Sequence, residues 1–182
     1  MRAELRAPTP DATAALGAVV APHLLPGDVV SLAGPLGAGK TRFVQGLAAG
    51  LGVEGRVASP TFVLVRRHRG RLPLLHCDAY RLERVGDLVT LDDDVLAPDV
   101  VTCVEWGDAV AAALPATRLD VTLTPVAADV AVADVAVATA APVAPRDVLL
   151  VAHGSAWADR WPALAADLTA AVTTPDGTEV GA

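Results

Sequence analysis

The sequence predicts an α/β fold of three layers, with a mostly parallel central sheet and one antiparallel hairpin that extends it. Apolar runs typical of buried strands stand at 29–33 and 100–104, and a run with alternating apolar residues stands at 119–124. A helix-forming segment, 40–51, follows the first run. Hydrophobic residues make up 53% of the chain and aromatic residues only 3%, so we expect a sheet of small and β-branched side chains flanked by Ala-rich helices.

Length and composition bound the organisation of the chain. Its 182 residues suffice for one ordinary domain, which we place at 1–172, while the polar residues 173–182 predict a frayed C-terminal tail. Cys77 and Cys103 lie in apolar runs, and two such residues give neither a disulfide framework nor a metal set. The N-terminus lacks the apolar core of a signal sequence, and no stretch of about 18 apolar residues is without charges or prolines. We therefore expect a cytoplasmic protein without membrane attachment.

The N-terminal part of the chain predicts a capped helix. Thr9 or Asp11 is positioned to accept hydrogen bonds from the backbone N–H groups that open a helix over 12–20. The turn cluster at 25–28 then separates this helix from the first strand.

The elements after the first strand and helix are a hairpin, a further strand and a C-terminal helix. Apolar-rich runs at 62–68 and 72–76, separated by Arg69-Gly70-Arg71, predict the antiparallel hairpin. Alternation over 130–137 predicts another strand with one buried face. An amphipathic helix that packs on the sheet is predicted by apolar residues spaced four, three and four apart, namely Trp157, Trp161, Leu164 and Leu168.

The charge balance limits the classes of partner. A net charge of −7 and a pI near 4.9 argue against a broad nucleic-acid-binding surface, which requires clustered Lys and Arg. We expect any connection with RNA to be indirect. One local cluster of arginines fits either a solvated hairpin tip or a docking patch for an acidic partner: Arg66, Arg67, Arg69 and Arg71.

The glycine-rich stretch between the first strand and its helix matches the phosphate-binding P-loop. Residues 34–41 fit the pattern G-x-x-x-x-G-K-[ST], directly after a strand and opening a helix. Loop N–H groups and the helix N-terminus cradle phosphates, Lys40 bridges β and γ oxygens, and Thr41 supplies a magnesium ligand. We expect ATP and Mg²⁺ to be held by Gly34, Leu36, Gly37, Ala38, Gly39, Lys40, Thr41 and Arg42.

Lys40 is the only lysine in the chain, and every other basic side chain apart from histidine is an arginine. Arginine is a wide planar fork and cannot replace the narrow ammonium inside a phosphate cradle. A Ras-type GTPase reads guanine with an Asn-Lys-x-Asp element, which would require a second lysine. The chain is also too short for larger ATPase modules with an added helical lid domain, so a minimal ATPase or a small P-loop kinase remains.

A P-loop site also needs a carboxylate at a strand end, to hold magnesium directly or through water, and a group that orients the attacking water. Asp78 follows the apolar run 72–77, and Glu105 follows 100–104. Since both emerge from the ends of predicted strands, both are candidates. For each of them, a carboxylate on a surface loop is the alternative.

With the P-loop, three further blocks of sequence resemble the TsaE family, formerly called YjeE, of tRNA threonylcarbamoyladenosine biosynthesis. The blocks are Ser59-Pro60-Thr61-Phe62 followed by Val63-Leu64-Val65, His76-Cys77-Asp78-Ala79-Tyr80-Arg81-Leu82, and Glu105-Trp106. They occur in the family's order, and the resemblance covers residues 10 to 114. Four blocks in order are far more specific than a P-loop alone.

The resemblance implies roles for individual residues. Lys40, Asp78, Glu105 and Thr61 would form the catalytic set, with Thr61 in a switch-like loop near the γ-phosphate. Glu105 would join Thr41 at the magnesium.

Two weaker implications concern the surroundings of the nucleotide. Trp106 would pack beside it, although a buried structural tryptophan explains this residue equally well. The segment near 11–13 would approach the adenine.

The resemblance also implies an ATPase that is slow alone and depends on partner proteins. Hydrolysis would support threonylcarbamoylation of adenosine 37 in tRNAs that read ANN codons, with the TsaB and TsaD proteins as partners. Two other functions stay open at this point. One is a nucleotide-dependent interaction module in which ATP orders 59–62 for docking, and the other is a small-metabolite P-loop kinase.

Overall fold

The computed structural model describes residues 1–82, 87–88, 95–126 and 144–173. Seven strands form one sheet, and three α-helices pack against it. The strands are β1 (Arg2–Ala7), β2 (Val29–Ala33), β3 (Val65–His68), β4 (Leu74–Asp78), β5 (Val101–Glu105), β6 (Arg118–Pro125) and β7 (Arg146–His153). The helices are α1 (Pro10–Val20), α2 (Lys40–Gly50) and α3 (Trp161–Thr173).

The sheet has the order β1-β7-β6-β2-β5-β4-β3. Its four central strands, β6, β2, β5 and β4, are parallel, while β3 pairs antiparallel with β4, and β7 pairs antiparallel with both β6 and β1. The expected α/β fold, with a parallel centre and the antiparallel hairpin, is therefore confirmed, and the antiparallel pairs β6–β7 and β7–β1 make the whole sheet mixed. Because parallel strands end at the same edge, the residues after β2, β4 and β5 meet there, and Asp78 stands opposite Glu105 in register.

All three helices cover one face of the sheet. Helices α1 and α2 approach so closely that a Cβ added to Gly46 would lie 1.7 Å from the carbonyl oxygen of Ala14, and one added to Gly17 would lie 2.1 Å from that of Phe43. The other face of β2, β4 and β5 is covered by the 3₁₀ segment Gly107–Ala113 and by apolar residues near 95–100. Three layers thus form, with irregular structure as the third.

The predicted first helix is confirmed, with Thr9 as its cap. The hydroxyl oxygen of Thr9 accepts a hydrogen bond from the backbone N–H of Ala12 at 3.0 Å, while Asp11 lies in the first turn. The predicted hairpin is also present, although its first strand begins at Val65 and not at Phe62, because 61–63 form a turn and Leu64 has φ 64°.

The predicted C-terminal helix begins later than expected. Trp157 lies in a separate 3₁₀ turn, Ser155–Trp157, and α3 starts at Trp161. Pro162 explains the break, because a proline is tolerated in the first turn of a helix but removes a hydrogen bond in the interior. Trp157 is nevertheless fully buried together with Leu164 and Leu168, so the predicted apolar set does pack on the sheet.

Strands β1 and β7, which lie together at one side of the sheet, were not predicted from the sequence. In β1 the outward side chains of Arg2, Glu4 and Arg6 alternate with Ala3, Leu5 and Ala7, a period-two signal that identifies a strand with one buried face. The predicted strand over 130–137 lies outside the described residues. Within the described ranges, no helix is long and apolar enough to cross a membrane.

Candidate nucleotide site

The P-loop connects the end of β2 to the start of α2, as predicted. Gly34 has φ 135° and packs on β6, where an added Cβ would lie 2.3 Å from the carbonyl oxygen of Leu123. Gly39, the N-cap of α2, has φ 106°. Both backbone conformations favour glycine, so the loop folds back tightly to the helix N-terminus and directs the first N–H groups of α2 to the sheet edge.

The side chain of Lys40 is held inside the loop. Its Nζ donates to the carbonyl oxygens of Gly34 at 2.6 Å and Pro35 at 3.0 Å, and lies 3.6 Å from the centroid of the Trp106 ring. Lys40 is only 5% exposed. The predicted position of Trp106 beside the phosphate cradle therefore corresponds to a cation–π contact with the P-loop lysine.

Opposing effects act on the charge of Lys40. Burial lowers the pKa of its ammonium, while the nearby carboxylates of Glu105, Asp108 and Asp78 raise it and so favour the charged form. The effect of burial is the largest, so the pKa of Lys40 is lowered overall.

Glu105 links the P-loop to the neighbouring strand. The hydroxyl of Thr41 lies 2.9 and 3.0 Å from the two carboxylate oxygens of Glu105, to which it donates. Nε2 of His76, on β4, lies 2.9 Å from Oε1 of the same carboxylate. Glu105 is 3% exposed and His76 is fully buried, so these contacts fix the carboxylate beside the loop.

His76 is a site residue that sequence reasoning placed in a family block without giving it a role. Its ring approaches Glu105 because β4 and β5 are parallel neighbours. The other ring nitrogen, Nδ1, is buried without a hydrogen-bond partner among the described residues. The only sequence signal was a histidine within a buried apolar run.

Asp78 holds the loop that precedes β3. One of its oxygens, Oδ2, accepts hydrogen bonds from the hydroxyls of Ser59 at 2.7 Å and Thr61 at 2.6 Å, and the other accepts from the N–H of Tyr80 at 3.0 Å. The two candidate carboxylates thus have different partners. Glu105 contacts the P-loop, whereas Asp78 contacts the loop that carries Thr61.

These side chains surround a cavity of about 520 Å³. The predicted residues at its wall are Leu36, Gly37, Gly39, Lys40, Thr41, Arg42, Thr61, Asp78 and Glu105; the remaining lining residues are Pro10, Thr13, Ser59, Tyr80, Trp106 and Arg146. Gly34 and Ala38, also predicted, are not lining residues, and Ala38 is fully buried behind the loop. Thr13 brings the start of α1 to the cavity, at the segment expected near the adenine.

Two arginines at the cavity differ in orientation. Arg42 is exposed and bonds Asp11 at 3.4 Å and Gln45 at 3.1 Å. Arg146, the first residue of β7, instead donates to carbonyl oxygens of the P-loop. Sequence reasoning missed Arg146, because it lies far beyond the motifs and β7 itself was not predicted.

Exposed apolar side chains include Leu36 and Tyr80, which line the cavity, and Phe62 and Val63, which follow the lining residue Thr61 in the sequence. We call the exposed set Leu36, Phe62, Val63 and Tyr80 the apolar rim; Leu36 and Phe62 are each 86% exposed. The ring of Tyr80 lies 5.0 Å from that of Trp106, which connects the rim to the cavity wall. Exposed large apolar residues in one region are typical of surfaces that contact a partner.

The donor set fits a magnesium ion that arrives with a nucleotide. Mg²⁺ prefers oxygen ligands and takes only one or two from protein when phosphates supply others. The Thr41 hydroxyl and the Glu105 carboxylate are such a pair. Among the described residues there is no group of three or more His, Cys, Asp and Glu side chains that could hold a metal without a nucleotide.

Comparison with known proteins identifies the family. The model of the family described as threonylcarbamoyl adenosine biosynthesis protein TsaE matches residues 7–130. The tRNA threonylcarbamoyladenosine biosynthesis protein TsaE of Mycobacterium tuberculosis is 44% identical over 126 residues, covering 64% of this chain and 75% of the relative. The protein of the same name from Bacillus subtilis is 40% identical over 119 residues, covering 65% of this chain and 75% of the relative.

A solved structure agrees with the sequence relatives. The crystal structure of YdiB from Bacillus subtilis superposes with a TM-score of 0.68 at 29% identity, covering 93% of this chain and 95% of that one. The fold is therefore shared over nearly the whole chain. On the family match, the relatives and the common fold, the chain belongs to the TsaE family.

Proposed function

We propose that the chain binds ATP with Mg²⁺ in the P-loop cavity and hydrolyses the nucleotide in support of threonylcarbamoylation of adenosine 37 in tRNAs that read ANN codons. The observation that supports ATP chemistry is the contact between Thr41 and Glu105 beside the buried Lys40. The observation that supports the pathway is membership of the TsaE family.

Each part of the cavity has a distinct task in this proposal. The N–H groups at the start of α2 and the ammonium of Lys40 hold the β- and γ-phosphates. Thr41 and Glu105 hold the magnesium, which supplies charge neutralisation at the phosphate oxygens. Asp78 positions Thr61 near the γ-phosphate, because its carboxylate already accepts the hydrogen bond of the Thr61 hydroxyl.

The contacts at the loop support the proposal that the isolated chain hydrolyses ATP slowly. Lys40 donates to two carbonyl oxygens of its own loop, and Thr41 donates to Glu105. A nucleotide has to replace these contacts before the phosphates are fully coordinated. A partner that stabilises the rearranged loop would therefore accelerate turnover.

The proposed partners are the TsaB and TsaD proteins, with tRNA contacted only indirectly in the cytosol. The apolar rim next to Thr61 supports a docking role, because nucleotide binding at Thr61 would move Phe62 and Val63 directly. This observation also favours the second candidate function, a nucleotide-dependent interaction module in which hydrolysis only releases the partner. The net charge of −7 disfavours direct tRNA binding over a broad surface.

The decisive experiment measures ATP turnover and co-purification on the same samples. We expect slow Mg²⁺-dependent hydrolysis by the chain alone, faster hydrolysis with TsaB and TsaD, and retention of these proteins in the presence of ATP. A panel of metabolites as phosphate acceptors tests the kinase alternative. Stimulated turnover by a metabolite, without any effect of TsaB and TsaD, would contradict the proposal.

Lys40→Ala provides the matched site variant for this experiment. Loss of one preorganised charge at a phosphate site costs about 3 to 4 kcal/mol in the transition state, so hydrolysis should fall about 100-fold or more. Arg118→Ala, which removes a positive charge at the opposite edge of the sheet, is the control. Wild-type turnover by the Lys40 variant would show that the P-loop is not the hydrolytic site.

A further inference from the structure

The topology of the sheet brings Arg146 to the phosphate site. It is the first residue of β7 and stands opposite Pro125, the last residue of β6. Strand β6 runs parallel to β2, so its end lies at the edge from which the P-loop emerges, and the antiparallel β7 begins at that edge. Arg146 therefore meets the P-loop although it is 108 positions from Ala38 in the sequence.

The guanidinium group of Arg146 donates in three directions. Nε lies 3.2 Å from the carbonyl oxygen of Ala38, and Nη2 lies 3.2 Å from that of Gly37. Nη1 lies 2.5 Å from the carbonyl oxygen of Ala144, a contact that fixes the plane of the guanidinium. Two consecutive carbonyl groups of the P-loop are thereby held by one rigid side chain, which a flexible ammonium cannot reproduce.

Holding these two carbonyl groups also orients two N–H groups. In a trans peptide the C=O and N–H bonds point in opposite directions. Arg146 therefore directs the N–H of Ala38 and the N–H of Gly39 away from itself. The N–H of Ala38 donates to the carbonyl oxygen of Pro35 at 3.1 Å and so closes the turn of the loop, whereas Gly39 is the N-cap of α2 and its N–H is the one available for a phosphate.

Arg146 also contributes positive charge. In the part of the chain that the structure describes, its guanidinium contacts carbonyl oxygens and forms no ion pair with a carboxylate. The adjacent carboxylate, Asp147, pairs with Arg6 at 3.1 Å. The charge of Arg146 at the cavity wall is thus free to favour an anion, in a cavity that also contains Asp78 and Glu105.

We propose that Arg146 is a positioning residue for the polyphosphate of the nucleotide: it fixes the peptide groups at 37–39 so that the loop keeps its closed turn and the N–H of Gly39 faces the phosphates, and its charge adds to that of Lys40. The inference rests on the proposed nucleotide binding. It also assigns a role in the phosphate site to a residue beyond 130, where the family-model match ends.

The test compares Arg146→Ala and Arg146→Lys with Arg118→Ala. Arg118 is a suitable control because it is also a partly buried strand arginine that donates to a carbonyl oxygen, that of Pro115, but lies at the far edge of the sheet. We would measure affinities for Mg²⁺-ATP and Mg²⁺-ADP by calorimetry. Steady-state hydrolysis with TsaB and TsaD would be measured on the same samples.

We expect Arg146→Ala to weaken the binding of both nucleotides about tenfold or more, since two hydrogen bonds from a charged donor are lost. The rate at saturating ATP should change less than the affinity, because ground-state phosphate contacts are affected. Arg146→Lys should bind with intermediate affinity, because it retains the charge without the planar fork. Added guanidinium ion, well below denaturing concentrations, should restore affinity to Arg146→Ala and not to Lys40→Ala.

The outcomes separate the inference from the proposed function. If wild-type protein binds no ATP, the proposed function fails first. If it binds ATP and Arg146→Ala binds as tightly as Arg118→Ala, the role of Arg146 is refuted. If Arg146→Ala only had a general folding defect, added guanidinium would not restore its nucleotide affinity, and Arg146→Lys would bind nucleotide as weakly as Arg146→Ala. That result would also refute a specific positioning role.

Discussion

Two substitutions of Glu105 can distinguish an effect on hydrolysis from an effect on folding stability. Its Oε1 contacts both Thr41 and His76, while Oε2 contacts only Thr41. In Glu105→Gln the amide oxygen can occupy the Oε1 position and keep both contacts, and the amide NH₂ can donate to the Thr41 hydroxyl. The substitution therefore removes one negative charge while the buried hydrogen bonds survive.

Glu105→Ala, in contrast, leaves the imidazole of His76 without a partner. Nδ1 of His76 already has no partner among the described residues, and truncation would also deprive Nε2 of its contact. A buried polar group left unsatisfied costs about 1 to 3 kcal/mol. We expect the free energy of unfolding of Glu105→Ala to be lower than that of wild type by that amount. The free energy of unfolding of Glu105→Gln should stay close to wild type.

Both variants should lose hydrolysis because both lack the carboxylate that we propose as a magnesium ligand. Loss of preorganised charge stabilisation of about 3 to 4 kcal/mol corresponds to a rate about 100- to 1,000-fold lower. ATP affinity should fall less, because the loop N–H groups and Lys40 still hold the phosphates. Urea unfolding, nucleotide affinity and turnover with TsaB and TsaD, measured on the same preparations, test all three statements.

Two results would refute this reasoning. Normal hydrolysis by Glu105→Gln would make Glu105 a structural carboxylate, and the acid of the site would then be sought at Asp78. Equal stability of Glu105→Ala and Glu105→Gln would show that the contact of His76 with Glu105 contributes nothing to folding.

Three further predictions follow from other buried groups. Asp78→Asn should weaken the hydrogen bonds of the Ser59 and Thr61 hydroxyls, so amide exchange in 59–62 should accelerate and turnover should fall; unchanged protection of that loop would contradict the assignment. Burial, with the charges of His76 and Arg66, lowers the pKa of His68. Below about pH 6.5 the unfolded chain therefore binds more protons than the folded protein, and the stability of the fold should decrease as the pH is lowered. Urea midpoints at about pH 7 and about pH 5 should differ less in His68→Gln than in wild type, and equal differences would exclude His68. Burial raises the pKa of the Cys103 thiol well above its usual range, so a thiol reagent should modify Cys103 only after unfolding, as peptide mapping would show.

Local features of the site could be predicted because they depend on short-range rules. The pattern at 34–41 requires glycines at positive φ and a lysine at a fixed position after them. The structure places this loop between β2 and α2, as expected. Thr9 as a helix cap and the hairpin around Gly70 follow from equally local preferences. The positions of Asp78 and Glu105 at strand ends needed only the apolar runs before them.

Register and strand order determined the rest, since they join residues that are distant in the sequence. No sequence pattern states that β4 lies next to β5, yet that pairing alone brings His76 to Glu105. Likewise, only the antiparallel return of β7 along β6 carries Arg146 to the carbonyl groups of the P-loop. The sequence by itself thus determined the P-loop and the two carboxylates of the site, because motif spacing is local. The tertiary structure decided which of these groups touch and which further groups, His76 and Arg146, join them, because contact across a sheet depends on how its strands are ordered.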